Sequence, residues 1–259
     1  MLLLEYKQGT TKWTTASALN NQNTLTIRYN KSIMDRIEKV REKAKALLDS
    51  DNSGHGMDHS ERVLRLSLQF AEAESANTEV VSMAALLHDV DDYKLFGEES
   101  AKNLTNAKTI LDDCGVDEDT KNQVIEAIET IGYSKRLQGI TPITIEAKIV
   151  SDADMCDGMG IIGILRSYQY NIAHGGEFFN KDIFPVLDMS AEEYKTKKDG
   201  TVVTHLFEKI LKLKDLMLTN AGRKEATKRH GYMVDFLYHF FEEENVPEWT
   251  EYLDNYLKR

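Results

Sequence analysis

The sequence has little proline, little cysteine and no long apolar run. Its three prolines (Pro142, Pro185 and Pro247) leave long stretches in which nothing interrupts a helix. Runs of β-branched residues are scarce as well, while Ala, Leu, Glu and Lys are plentiful, a balance that favours an all-α fold. Two cysteines, Cys114 and Cys156, are too few for a disulfide framework and read as free thiols in a reducing, cytoplasmic setting. Residues 1–4 are apolar but lack a basic flank and an adequate apolar core, so neither a signal peptide nor a transmembrane span is expected. Positive charge is in deficit, with 32 Lys and Arg against 43 Asp and Glu for a net charge of −11. Such a surface repels polyphosphate backbones, and neither a nucleic-acid nor a membrane partner is expected. A small phosphorylated substrate still fits, provided a metal and a local basic cluster offset the field.

What is present is a core-forming composition, 41% hydrophobic in 259 residues, and helical periodicity. Ile33, Ile37, Val40, Ala44 and Leu47 recur at three- and four-residue steps, giving one apolar face. Further helices are expected at about 58–76, 78–88 (capped by Asn77 or Thr78), 100–114, 117–131, 142–154, 161–170, 202–218, 222–243 and after Pro247. Residues 1–30, rich in Thr and Asn, read as an extension, partly extended or disordered, outside a helical domain at 31–259. Residues 173–200, with Gly175, Gly176 and Pro185, read as a flexible excursion or lid. No repeat and no linker divides the helices.

One stretch stands apart. The apolar run 83–87 ends in His88, Asp89, Val90, Asp91 and Asp92. A carboxylate at the end of a buried helix is costly unless it is paired or holds a cation. Two further residues complete a ligand set: His59 at the start of the second helix, and Asp152 at the end of the helix after Pro142. Two imidazoles and two carboxylates at helix ends suit one octahedral divalent ion (Mn²⁺, Fe²⁺, Co²⁺, Ni²⁺ or Mg²⁺) better than a thiolate site does. Residues 49–54 imitate the start of a calcium loop, but its twelfth position is Ser60, where the bidentate Glu is required.

The order His59, His88-Asp89, Asp152 resembles the HD-domain superfamily of metal-dependent phosphohydrolases. Residues 54–63, 86–94, 150–160 and 205–213, with Thr219 and Arg223, resemble the bacterial HD hydrolase branch that includes nucleotide pyrophosphohydrolases. The resemblance covers about 33–245 and departs near Met57, where the pattern has an aromatic. It implies an all-α HD-type helical bundle with a metal site where helix ends converge, and His59, His88, Asp89 and Asp152 as its ligands. The implied reaction is attack of metal-activated water on a nucleoside (deoxy)triphosphate or related small nucleotide. A phosphomonoesterase or cyclic-nucleotide phosphodiesterase at the same site, and a non-catalytic nucleotide-binding regulatory module, are the alternatives. A homodimer is compatible with all three.

Around this set, Asp92 and then Asp91 are candidates to take a proton from the attacking water. His55, between Gly54 and Gly56, and Lys94 are candidates for phosphate contact. His205 and Lys209, four apart with Lys212 three beyond, suggest a basic stripe for a phosphate chain, a role the resemblance strengthens. Asp157 reads as the N-cap of a helix from Gly158. Arg223, Arg229 and His230 read as surface charge, and His174 and His239 have no motif support.

Overall fold

The computed structural model describes residues 2–7, 10–15, 27–29, 31–49, 56–189 and 200–259. Two compact units emerge, Met1–Ile131 with Ile140–Ser151, and Gly132–Gly139 with Asp152–Arg259. No helix among the described residues is long and apolar enough to cross a membrane.

The first unit opens with a three-stranded antiparallel sheet, β1 (Leu2–Lys7), β2 (Thr10–Thr15) and β3 (Ile27–Tyr29), in the order β2-β1-β3. The register pairs Leu4 with Trp13 and Leu3 with Arg28. From α1 (Lys31–Leu48) onward the unit is helical: α2 (Met57–Glu74), α3 (Thr78–Leu87), α4 (Tyr93–Asn103), α5 (Thr105–Asp113) and α6 (Glu118–Thr130). The α3 helix is its centre. Asn77 caps it by accepting from Glu79 N and Val80 N, and every residue from 80 to 87 is buried. A helix apolar on all sides has to be surrounded, and α3 packs against α1, α2 and α6.

A single helix at 100–114 is not what forms. The chain becomes helical at Tyr93, bends at Gly97 (φ 83°) and breaks at Leu104, which adopts the left-handed conformation (φ 50°). The cause is tertiary. The Asp91 carboxylate gathers the amides of Asn106 and Ala107 and so starts α5 afresh, while Leu104 stays buried.

Beyond α6 the chain reaches the short α7 (Tyr133–Leu137) and then α8 (Ile145–Asp157). The start of α8 falls three residues after Pro142 because Thr144 Oγ1 accepts from Ala147 N. The second unit continues with α9 (Gly160–Ala173), α10 (Val202–Glu208), a 3-10 helix (Ile210–Leu216), α11 (Asn220–Glu243) and α12 (Pro247–Leu257). Its core is aromatic: Trp249, fully buried, stacks on Phe184 at 4.5 Å and meets Phe179, Phe207 and Phe241. Within the described part of the expected excursion, residues 174–189, Phe179 and Phe184 pack on Trp249, and the Lys181 carbonyl accepts from Trp249 Nε1 at 3.0 Å. The remainder, 190–199, lies outside the described residues.

The expected continuous helix at 202–218 is also corrected. It ends at Glu208, and Lys209 leaves helical geometry (φ −132°, ψ −60°) before the 3-10 turns begin. Glu208 is buried and accepts from Val186 N at 3.0 Å, and the Lys212 ammonium donates to the Leu187 carbonyl. With those two ends tied down, a period of three stacks the buried Ile210 over Leu213. Asp157 is not an N-cap. It is the last residue of α8, is 1% exposed, and accepts from Arg166 Nη1 at 2.7 Å.

Candidate metal centre

Two helices of the first unit bring the sharpest cluster together. His59 is the third residue of α2, placed in its first turn by a bond from its own amide to the Gly56 carbonyl at 2.9 Å. His88 caps the C-terminus of the buried α3, and Asp89 follows in the turn. His88 Nδ1 lies 2.8 Å from the Ala85 carbonyl oxygen. A carbonyl only accepts, so Nδ1 carries the proton and Nε2 presents a bare lone pair.

That nitrogen faces His59 Nε2 at 3.1 Å, and both lie 3.5 Å from Asp89 Oδ2. The histidine side chains are 2% exposed and the Asp89 side chain 13%. With bonds of roughly 2.1 Å to a divalent ion, neighbouring ligand atoms sit about 3.0 Å apart in an octahedron and about 3.4 Å in a tetrahedron. The trio fits that spacing. Two imidazole nitrogens and a carboxylate oxygen, with no thiolate among them, form a donor set for an ion of intermediate to hard character. His59, His88 and Asp89 are thus the described residues positioned to hold a metal.

The neighbouring acids differ in what they touch. Asp91, 4% exposed, accepts from Ser100 Oγ at 2.5 Å, Asn106 N at 2.9 Å and Ala107 N at 2.9 Å. Its carboxylate serves the start of α5 through these three donors. Asp92 is half-buried just ahead of α4, its carbonyl accepting from Leu95 N and Phe96 N. Lys94 is the second residue of α4; its side chain, like all of His55, lies outside the described residues.

In the second unit Asp152 is fully buried on α8. Its Oδ2 accepts from Thr219 N at 2.8 Å and Thr219 Oγ1 at 2.7 Å, and Leu218 N donates to Oδ1 at 2.9 Å. Thr219 is also the N-cap of α11, accepting from Gly222 N. Gly222 is there for want of room: a Cβ on it would lie 2.2 Å from Asp152 Oδ2. Burial raises the Asp152 pKa above its ordinary value, and the hydrogen bonds from Leu218 and Thr219 oppose that shift. Oδ1 retains a lone pair, the one feature of a ligand that survives this many contacts.

The turn that grips Asp152 is itself held by two arginines. Arg136 Nη2, from α7, donates to the Leu216 carbonyl at 3.1 Å, and Arg223 Nη1 donates to the Met217 carbonyl at 3.1 Å. Neither contact is visible in composition; the cap pattern of Thr219 ahead of Gly222 is the only local signal for this turn. The expected basic stripe is broken. His205 is half-buried on α10, Lys209 lies past the end of that helix with its ammonium 4.6 Å over the Tyr133 ring, and Lys212 is tied to Leu187.

The HD domain family matches residues 56–159, a span that includes His59, His88, Asp89 and Asp152. The chain is 34% identical to an HD-superfamily hydrolase from Bacillus thuringiensis, whose crystal structure aligns with a TM-score of 0.64 over 83% of this chain and 99% of that one. A protein from Lactobacillus plantarum aligns at 31% identity and a TM-score of 0.68, covering 86% of this chain and 100% of its own. The Bacillus subtilis protein YpgQ is 29% identical over 205 residues, 79% of this chain and 91% of YpgQ. A crystal structure of YpgQ in complex with ADP aligns at 25% identity and a TM-score of 0.62, covering 82% of this chain and 96% of that one.

Proposed function

The chain belongs to the HD-domain superfamily of hydrolases, and we propose that it hydrolyses nucleoside (deoxy)triphosphates to monophosphate and pyrophosphate. The observation that carries this reading is the trio His59 Nε2, His88 Nε2 and Asp89 Oδ2, three lone-pair donors within 3.5 Å of one another. ADP in the crystals of YpgQ supports a nucleotide as ligand.

His59, His88 and Asp89 would hold one divalent ion (Mn²⁺, Fe²⁺, Co²⁺, Ni²⁺ or Mg²⁺). Asp152 is the fourth ligand in the order of the motif, with the spare lone pair of Oδ1 for that task. Such an ion, when bound, supplies Lewis acidity that sharpens a water as nucleophile and draws charge from a phosphoryl oxygen. The remaining work belongs to the chain. In the reaction a water oxygen attacks the α-phosphorus, the bond from that phosphorus to the bridging oxygen breaks, and pyrophosphate leaves with the bonding pair. The water's proton passes to the Asp92 carboxylate, the acid beside the trio that α5 does not occupy. His55, Lys94, His205 and Lys209 neutralise the phosphate oxygens as charge spreads over them.

The test is a screen of the metal-loaded protein against nucleoside triphosphates and phosphomonoesters, with pyrophosphate and orthophosphate read separately. Equimolar monophosphate and pyrophosphate are expected. Orthophosphate as the sole inorganic product would replace the reading by a phosphomonoesterase, and nucleotide binding without turnover by a regulatory module.

A further inference from the structure

Arg136 is a cation with too few partners. Its Nη2 donates to the Leu216 carbonyl, while Nη1 is buried and meets no hydrogen-bond partner among the described residues. No carboxylate among the described residues forms an ion pair with it, in a chain that carries 43 acids. A guanidinium offers five N–H donors in a planar fork, and leaving a buried one unmatched is expensive. A ligand that offers acceptor oxygens would complete it.

The surroundings say which ligand. Tyr133 and Arg136 lie three apart on α7, hence on neighbouring parts of its surface. The Lys209 ammonium sits 4.6 Å over the Tyr133 ring, so two cations flank this short helix. Through the Leu216 carbonyl, Arg136 also steadies the turn whose amides at Leu218 and Thr219 hold Asp152. Its charge reaches the Asp152 carboxylate and counters the effect of burial there. One face of that turn thus takes cations on its carbonyls, and the other gives its amides to an acid.

We propose that Arg136, backed by Lys209 across the Tyr133 ring, forms an anion subsite that grips a phosphate of a nucleotide beside Asp152. The planar fork takes two phosphate oxygens in parallel, which a lysine cannot do. The subsite deepens the hydrolytic reading, and rests on it for the identity of the ligand, but its binding role stands apart from turnover.

The experiment compares Arg136→Gln and Arg136→Lys with the unaltered, manganese-loaded protein. Calorimetry measures binding of ADP, pyrophosphate and adenosine; kcat and KM are measured alongside, with metal content and melting curves. Arg136→Gln is expected to weaken ADP and pyrophosphate at least about 10-fold, compared at equal bound manganese, and to leave adenosine unchanged. Arg136→Lys should fall between the two, since it keeps the charge and loses the fork. It decides the matter if the Gln variant does not fold. ADP binding equal to that of the unaltered protein in the folded variants, an equal loss for adenosine, or no binding of ADP and pyrophosphate by the unaltered protein each overturns the subsite. Arg136-dependent ADP binding in a protein that hydrolyses no nucleotide would instead sink the hydrolytic reading and leave the subsite standing.

Discussion

Asp89 is the one carboxylate in a trio whose other two members are imidazoles. His88 cannot turn its ring without giving up the Ala85 carbonyl, and His59 is fixed in the first turn of α2. Removing the Asp89 carboxylate therefore takes away the acid that sits within 3.5 Å of both imidazoles and leaves the proposed ion two nitrogens and Asp152. Asp89→Ala should drop bound manganese from about one to near zero per chain and lower hydrolysis at least about 100-fold. Its circular dichroism should be unchanged, since Asp89 sits in a turn outside the helix. Retained metal with normal turnover would move the centre elsewhere. Asp152 makes a second prediction, of opposite electrostatic sense. Burial holds its folded-state pKa above 3.8 despite three hydrogen-bond donors, so the native state keeps a proton that the unfolded chain has released. Between 3.8 and the raised value the native state binds more protons, and stability falls as pH rises through that window. In metal-free protein the full penalty is present above the window and absent below 3.8. Asp152→Asn lacks this titration. Its unfolding free energy relative to the unaltered protein should therefore climb as pH rises from 3.8 through the raised value in chelator-treated samples. A difference flat across that range would mean the carboxylate carries no such penalty.

The α4–α5 junction shows how one side chain decides where a helix begins. Thr105 and its neighbours have no capping residue of their own, since Leu104 stands at the N-cap position without a side-chain bond. The cap comes from Asp91, fifteen residues before Asn106, and serves two amides and a hydroxyl. Asp91→Ala should destabilise the protein by about 2–4 kcal/mol in urea unfolding, the loss of a cap plus buried donors left unmet. Metal content of the folded fraction should not change. Metal loss at full stability would instead put Asp91 at the centre. This element also marks what a sequence conveys. Asn77 and the apolar run after it announce α3, and Asp117 announces α6, because each cap lies next to its helix. A left-handed Leu104 and a 3-10 turn after Lys209 have no such local sign: both follow from distant partners, Asp91 in one case and residues 186–187 in the other.

Over the whole chain, the clustering of His59, His88 and Asp89 was legible because one apolar run delivers His88 and Asp89 together and only His59 must be added. Arg136 was not, because an orphaned nitrogen is a fact about what surrounds a residue rather than about its neighbours in sequence. The division into two units was hidden for a similar reason: one of its boundaries falls between Ser151 and Asp152, inside α8, where no Pro- or Gly-rich linker marks it. Net charge, by contrast, is read directly, and it bears on how substrate arrives. A charge of −11 repels a nucleoside triphosphate at long range, whereas the attraction of the phosphate-binding cations acts at contact. Salt separates the two, because the screening length shrinks from about 20 Å near 20 mM to about 7 Å near 200 mM, removing distant repulsion before it weakens contacts in a partly buried site. Over that range kcat/KM for a triphosphate, with free manganese held constant, is expected to rise about 2- to 5-fold. An enzyme that met its substrate through exposed lysines would show the reverse slope, and a fall in kcat/KM with salt would assign capture to surface cations rather than to a basic subsite shielded within an acidic protein.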